Sequence, residues 1–383
     1  MPDILYNLDQ VQHALDGFPR CAHRSATRPL LYHSYKANTF APLLRWLHGL
    51  GVGASVANAQ ELALAQELGA PAICATSPAL DAAVIDRMRN DGVDVFLATP
   101  QQLSAVPDGS TVGIRLQVTK AGSPYPSRFG FAAHEPVLHD ILRDKRLTVT
   151  SLLLHHRNIE APGALHAHIE TARMAQKQFP EVEWINLGGG KTALAQDAQI
   201  WDRSWKDLID AGTLDPLLPL VSFEPGAQHL SGAGYLVANV LDRSQSDAMR
   251  QRLVLDASHW VLNGWSHIRP ILPQGDMPTD LFGPTCYEDD VWCRATPMGI
   301  MDTGDVVGFA NMGSYITSMA RRFCCTELPA ERLVRLGRDP SLDALRMACA
   351  QTPDASADLQ QQDDKEGKRH EMHQDEPDQH LRV

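Results

Sequence analysis

The sequence predicts an α/β protein: a (β/α)8 TIM-like barrel followed by a mostly β C-terminal domain. Eight short apolar, β-rich runs recur between Pro29 and Gly226, with helical patterns separating several of them. Beyond that point the texture changes to glycines and short strand-like runs without helical spacing. Eight strand–helix units in about 200 residues suit a closed parallel barrel better than an open doubly wound sheet.

The eight runs are, in order, "PLLYHSYK" from Pro29, "VGASV" from Val52, "PAICAT" from Pro71, "VDVFLAT" from Val93, "VGIRLQV" from Val112, "VTSLLLHH" from Val149, "VEWINLGGG" from Val182 and "PLVSFEPG" from Pro219. Between the first two, "APLLRWLHGLG" sets Leu43, Leu44, Leu47 and Leu50 on one helical face and stops at Gly51. "NAQELALAQELGA" opens with Asn58 and Glu61 at capping-box spacing and ends at Gly69. "SPALDAAVIDRMRNDG" predicts a helix starting at Ser77 with Pro78 in its first turn and ending at Gly92. The fourth connection, "PQQLSAVPDGST", is short and weakly helical. "LHAHIETARMAQKQFP" predicts a helix that stops before Pro180. In the second domain "AGYLVANVL", "QRLVLDAS" and "VVGFANMGSY" read as strands, and helical spacing returns at "PAERLVR". The expected division is a barrel over residues 25–230 and a β-rich domain over 231–345, with residues 1–24 a candidate addition to it. The polar, charged segment 351–383 reads as a disordered tail.

Bulk composition narrows the function. The chain has 383 residues, 44% hydrophobic and 21% charged, with a formal net charge of −12. That balance lacks the basic footprint of a nucleic-acid binder. No apolar run is long enough to span a membrane, and the N-terminus "MPDILYNLDQ" lacks the pattern of a signal peptide. Seven scattered cysteines read as reduced thiols, so a cytoplasmic location is expected. His370, His373 and His380 in the tail match no common zinc spacing, and a solvated tail accounts for them.

In a barrel of this kind the active site forms at the C-terminal strand ends. Lys36 ends the first run, Arg115 lies in the fifth, His155 and His156 end the sixth, Gly188, Gly189 and Gly190 end the seventh, and Glu224 ends the eighth. Singly, each has an ordinary explanation: a solvated lysine, a rim histidine pair, a tight turn, a turn glutamate. Convergence on one rim argues for chemistry. Successive glycines expose backbone N–H groups that hold a phosphate. A carboxylate keeps a pyridine nitrogen protonated, an imidazole stacks on the ring, and a lysine holds an aldehyde as an imine. Together these parts describe a site for pyridoxal 5′-phosphate.

The ordered motifs "YKAN", "GASV" with "QEL", "NLGGG", "EPG", "GPTCYEDDV" and "MGSY" resemble those of the fold-type III pyridoxal-phosphate decarboxylases. That family includes ornithine, diaminopimelate and carboxynorspermidine decarboxylases and is related to alanine racemase. The resemblance runs from about Leu30 to Met319. It implies that Lys36 carries the cofactor, that Arg115 lies beside it and that His155 stacks on it, with His156 the alternative if the register shifts. It further implies that Gly188, Gly189 and Gly190 bind its phosphate together with Tyr315, and that Glu224 meets its ring nitrogen. Cys286 and Asp290 resemble residues that reach a neighbouring subunit's site, so a homodimer with shared active sites is implied, with Cys286 in a catalytic role.

Departures from the family pattern bear on the substrate. Asn158, in "HHRNIE", stands where the family has a phosphate-binding serine, and Ala227 stands where many members have arginine after Glu-Pro-Gly. Tyr287 follows the cysteine where many members have glutamate, with Glu288 next; this argues against a housekeeping diaminopimelate enzyme. Arg269, in "IRPIL", resembles an arginine that reads a carboxylate. The segment after Glu224 looks closer to carboxynorspermidine decarboxylases, and "NLGGG" with "DTGDVV" resembles decarboxylases of carboxylate siderophore assembly. Decarboxylation of a diamino or carboxylate-rich amino acid is therefore expected. The alternatives are an amino-acid racemase on the same scaffold and a non-catalytic pyridoxal-phosphate-binding protein. The second alternative would be a barrel alone, which the β domain argues against.

Overall fold

The structure is a computed structural model that describes residues 1–19, 28–118, 127–156, 158–212, 220–247, 250–264 and 267–350. The tail 351–383, with its three histidines, and Cys21 lie outside the described residues. An N-terminal strand, β1 (Asp3–Asn7), precedes the barrel.

All eight runs form strands: β2 (Tyr32–Ser34), β3 (Gly53–Val56), β4 (Ile73–Ala75), β5 (Asp94–Leu97), β6 (Thr111–Leu116), β7 (Thr148–Leu154), β8 (Trp184–Asn186) and β9 (Leu220–Ser222). They pair in chain order, each parallel to the next. The barrel closes where Leu31 bridges Phe223. There the Tyr32 N–H donates to Phe223 O at 2.8 Å and the Phe223 N–H to Leu30 O at 2.8 Å. Tyr32, Cys74, Phe96, Leu153 and Trp184 form a core cluster of their own, all buried, as expected for residues filling the bore of a closed barrel. Trp184 donates its indole N–H to Ser222 Oγ at 3.0 Å, so the largest of these side chains brings its polar atom in satisfied.

Local signals explain most helix boundaries. Asn58 Oδ1 accepts from the Glu61 N–H at 2.8 Å as the capping-box spacing predicts, while Glu61 Oε2 accepts from the N–H of Ala57, one residue before the cap, at 2.7 Å, so the start of the helix Ala59–Glu67 is held from both sides. Gly51, Gly69 and Gly92 all take positive φ just beyond a helix end. The weak fourth connection holds a short helix, Pro100–Ala105, capped by Thr99. Ser77 does not start the next helix. Its Oγ closes a turn on the Ala79 N–H at 3.3 Å, and the helix Ala82–Asn90 begins behind Asp81, whose carboxylate accepts from the Val84 N–H at 2.9 Å. Asp81 also stands four residues nearer the apolar face, and the cap adjacent to that face wins.

The second sheet contains β10 (Gly234–Asp247), β11 (Arg250–Leu255), β12 (Arg269–Ile271), β13 (Met277–Phe282), β14 (Val291–Met298), β15 (Val306–Ala310) and β16 (Ala330–Val334). Its order is β12-β15-β10-β11-β13-β14, and β1 joins it between β10 and β16. "PAERLVR" is thus a strand, parallel to β1, and not the helix its spacing predicts. Tyr6 donates its hydroxyl to Glu331 at 2.5 Å and Arg332 pairs with Asp3 at 2.8 Å, so long-range contacts override a weak local preference. Among the described residues no helix is long and apolar enough to cross a membrane, and no group of three metal-ligating side chains gathers.

Candidate active site

Lys36 sits in a 3-10 turn, Tyr35–Ala37, directly after β2. The second domain clamps this turn from above. The Tyr315 N–H donates to Ala37 O at 2.7 Å, Ser318 Oγ donates to the same oxygen at 3.3 Å, and Asn38 Nδ2 donates to Gly313 O at 3.0 Å. From below, the buried His33 holds Asn38 O at 3.0 Å through Nε2 and meets His229 Nε2 at 3.0 Å through Nδ1. The lysine's backbone is therefore fixed on both sides while its side chain is exposed at the mouth of a cavity.

Lys36, Ser55, Glu61, Arg115, His155 and Glu224 line that cavity, so five different strand ends converge on one space. Glu224 is 5% exposed and firmly held. Its Oε1 accepts from Asn186 Nδ2 at 3.0 Å and from Cys74 Sγ at 3.3 Å, its N–H donates to Gly188 O at 3.1 Å, and its carbonyl accepts from Ser34 Oγ at 3.1 Å. Burial, and then the carboxylate beside it, push the Cys74 thiol well up, so Cys74 is a protonated donor to Glu224. Arg115 stacks over the Phe129 ring at 4.6 Å. Desolvation lowers its guanidinium and the charge of Glu224 acts against that.

His155 is half-buried and accepts the Gly189 N–H on Nδ1 at 3.0 Å. Desolvation first, then the charges of Lys36, Arg115 and Lys191, hold this imidazole well below its ordinary range. It is a neutral, flat ring with its Nδ1 lone pair engaged. His156 is buried against the His168 ring, with the Asn158 N–H on its Nδ1 at 3.2 Å, and it does not line the cavity.

The glycine loop cannot be anything else. Gly188 has φ +59, and a Cβ there would lie 2.7 Å from His155 Cα; a Cβ on Gly189 would lie 2.7 Å from Glu224 O. The loop is thus a bare backbone cradle wedged between His155 and Glu224. Tyr315 also takes a positive φ, +55, and its hydroxyl, pushed up to about 12 by burial, lies 3.1 Å from where a Cβ on Gly226 would sit. Asn158 reaches the loop only through its neighbour: the Ile159 N–H donates to Gly190 O at 2.6 Å, while the Asn158 side-chain amide pairs with Glu160 at 2.6 Å.

The other sequence-predicted residues lie outside this cavity. Arg269 is exposed on β12. Cys286 and Glu288 are exposed, and Cys286 Sγ lies 3.5 Å from Cys324 Sγ. Tyr287 packs its ring 4.5 Å from Trp260. Asp290 is buried and serves its own loop, accepting from Thr285 Oγ1 at 2.7 Å and from the Trp260 N–H at 3.1 Å. Sequence reasoning missed Asn186 and Cys74 as the partners of Glu224, and read Glu61 only as a helix cap. Asn186 stood two residues before the glycines, which was its one visible signal.

The family described as pyridoxal-dependent decarboxylase, C-terminal sheet domain, matches residues 82–313, more than half of the chain. The chain belongs to the pyridoxal-dependent decarboxylase family. Diaminopimelate decarboxylase of Methanocaldococcus jannaschii is 22% identical over 81% of this chain and 80% of that protein. Lysine/ornithine decarboxylase of Selenomonas ruminantium is 25% identical over 84% of this chain and 86% of that one. Among solved structures, M. jannaschii diaminopimelate decarboxylase in complex with L-lysine superposes with a TM-score of 0.74 at 17% identity, covering 88% of this chain and 87% of that one. Lysine/ornithine decarboxylase of Vibrio vulnificus complexed with cadaverine gives 0.72 at 20% identity, covering 87% and 92%. The barrel and the mostly β second domain are the architecture of these decarboxylases. This decarboxylase is pyridoxal-dependent, and the residues at its rim fit the cofactor: an amine, a neutral imidazole, a held carboxylate and a cradle that any side chain would fill.

Proposed function

We propose that this decarboxylase removes the α-carboxylate of a diamino or carboxylate-rich amino acid, with Lys36 as the amine that bears the cofactor. The observation that carries the reading is the meeting of Lys36, Arg115, His155 and Glu224 around one cavity beside a glycine cradle. Pyridoxal phosphate, when bound, supplies an aldehyde for an amine and a ring that takes up the electron pair left when carbon dioxide departs. Glu224, kept in place by Asn186 and Cys74, holds a proton on the ring nitrogen. His155 offers a neutral face to the ring, and the loop of Gly188, Gly189 and Gly190 receives the phosphate with the Gly190 N–H as its donor and Tyr315 at its edge, the Gly188 and Gly189 N–H groups being held by Asn186 and His155. Lys36, at the mouth of the cavity, would be the amine that holds the cofactor's aldehyde. Breaking the bond to the carboxylate leaves Cα in need of one proton, which Cys286 delivers.

Cys286, Tyr287, Glu288 and Asp290 lie outside the cavity of their own chain, which supports a homodimer in which each copy brings this loop to the other's rim. Arg269 is the carboxylate-reading cation of the proposal, and its exposure on β12 leaves it available to such a substrate. The family resemblance supports a polyamine or siderophore intermediate as substrate.

Purified protein assayed against ornithine, lysine, diaminopimelate, carboxynorspermidine and citryl-diamino acids tests the reading. Carbon dioxide release with a product lighter by one carboxyl group is expected for one of them. Loss of optical rotation without carbon dioxide would assign a racemase instead.

A further inference from the structure

The residue directly after the glycine cradle, Lys191, has no part in the chemistry above. It is only 1% exposed. Its Nζ donates to the carbonyls of Leu187 at 2.8 Å, Gly188 at 3.0 Å and Gly189 at 3.1 Å. The Phe223 ring centroid lies 5.4 Å from it. Three acceptors match the three N–H donors of an ammonium. Among the described residues Lys191 forms no ion pair, and the acid whose charge reaches it is Glu224, already engaged by Asn186 and Cys74. Burial pushes the amine down to about 7, while the three carbonyls favour its charged form. A buried cation without a counter-charge is a costly thing to keep, unless the counter-charge comes with a ligand.

The carbonyls it holds point to that ligand. The oxygens of Leu187, Gly188 and Gly189 belong to the peptide units whose N–H groups are those of Gly188, Gly189 and Gly190; the first two N–H groups are given to Asn186 Oδ1 at 2.8 Å and His155 Nδ1 at 3.0 Å, so among the described residues it is the Gly190 N–H that is left for a ligand. A hydrogen bond at the carbonyl end of a peptide polarises the N–H end. By holding Gly189 O, Lys191 therefore orients and strengthens the Gly190 N–H while adding a positive charge behind the loop.

We propose that Lys191 is a positioning residue for the phosphate end of the cofactor, holding the glycine loop from behind and finding its counter-charge in the phosphate dianion bound in front. The inference rests on the pyridoxal-phosphate reading of this pocket. It differs from a purely structural role in one respect: a scaffold lysine supports any ligand of the pocket equally, whereas this one discriminates by phosphate.

Full-length chain stripped of cofactor and titrated with pyridoxal phosphate or with pyridoxal, which lacks the phosphate, separates the two roles through binding alone. In Lys191→Met, pyridoxal phosphate affinity should fall about 10- to 100-fold, the range of one charge-assisted contact, while pyridoxal affinity changes less than about threefold. Inorganic phosphate should raise the thermal midpoint of the stripped wild type and not that of the variant. Equal loss for both ligands, or loss for neither, overturns the proposal. Lys191→Gln, which removes the charge but keeps an amide donor for the carbonyls, carries the same comparison if Lys191→Met fails to fold. A wild type that binds neither ligand removes the cofactor reading itself, and this inference with it.

Discussion

In the Lys36 pocket every functional group is held by neighbours from the same chain: Glu224 by Asn186 and Cys74, His155 by the Gly189 N–H, the Lys36 turn by Tyr315 and Asn38. In the loop from Gly283 to Asp290 the balance is reversed. Asp290 turns back onto Thr285 and the Trp260 N–H, and a Cβ on Gly283 would lie 2.2 Å from its Oδ2, so the loop is shaped around its own carboxylate. Cys286 and Glu288, which that shape presents, face outward. One region is organised around a cavity within the chain, and the other is organised around its own Asp290 with Cys286 and Glu288 exposed. On the proposed homodimer, the contrast means that half of this site is complete in a single copy and the other half is supplied by the second copy.

The largest expected effect breaks the first half. Lys36→Ala should lower turnover by about 10³-fold or more and abolish the visible absorbance of the bound cofactor, because among the described residues no other amine lines the cavity. Assay of the purified variant checks this, and near-normal turnover would move the chemistry away from Lys36. Glu224→Gln keeps the shape of the side chain and removes its charge. Turnover should fall by about 10²-fold with substrate KM little changed, since the lost interaction strengthens only as charge develops on the ring. A change confined to KM would place Glu224 in substrate binding.

The second half is tested by mixing. Cys286→Ala should lose about 10- to 100-fold in turnover, the weight of one proton donor. When Lys36→Ala and Cys286→Ala chains are unfolded together and refolded, about a quarter of wild-type turnover should return, since half of randomly paired dimers carry one intact composite site. Recovery no greater than the sum of the separate variants would put Cys286 in the same chain's site and erase the contrast between the two regions.

How much of this was legible follows from the same contrast. The barrel strands announce themselves because each is a short apolar run closed by a glycine or a polar strand end, and eight repeats of a local pattern outweigh one weak connection. Lys36, the three glycines and Glu224 were legible as strand-end residues. Asn186 and Cys74 were not, because each reads as an ordinary strand residue until closure of the barrel sets it against Glu224. Lys191 was illegible for the opposite reason: a lysine after three glycines reads as solvent-exposed, and only the turn of the loop over its own carbonyls buries it. In the second domain, β12, β13, β14 and β16 escaped detection because non-local pairing decides them. β13 is parallel to β11 and antiparallel to β14 with two register irregularities, which no local periodicity encodes.

The smallest effect concerns what lies beneath the rim. His33 and His229 are buried neutral, behind the turn that carries Lys36. His33 Nε2 faces the Asn38 carbonyl, so it carries the proton, Nδ1 accepts, and His229 must donate from Nε2. Desolvation pushes His33 from 6.5 down to about 4 and His229 in the same direction. Above pH 6.5 both folded and unfolded chains hold these rings neutral, so the pair adds no pH dependence. Below 6.5 the unfolded chain binds a proton that the folded chain refuses until about pH 4, so stability must fall across that window. For His33 alone the loss approaches about 3 kcal/mol at its lower end. Urea unfolding at pH 7.5, 6, 5 and 4.5 measures it, with His33→Asn as the reference. Carboxylates titrate alike in both chains, so they cancel in the difference, which should shrink steadily as the pH drops. A difference that stays flat from pH 7.5 to 4.5 would mean that His33 accepts its proton in the folded state. The Lys36 turn would then rest on a charged pair, and the rigidity that sets this rim apart from the Cys286 loop would need another source.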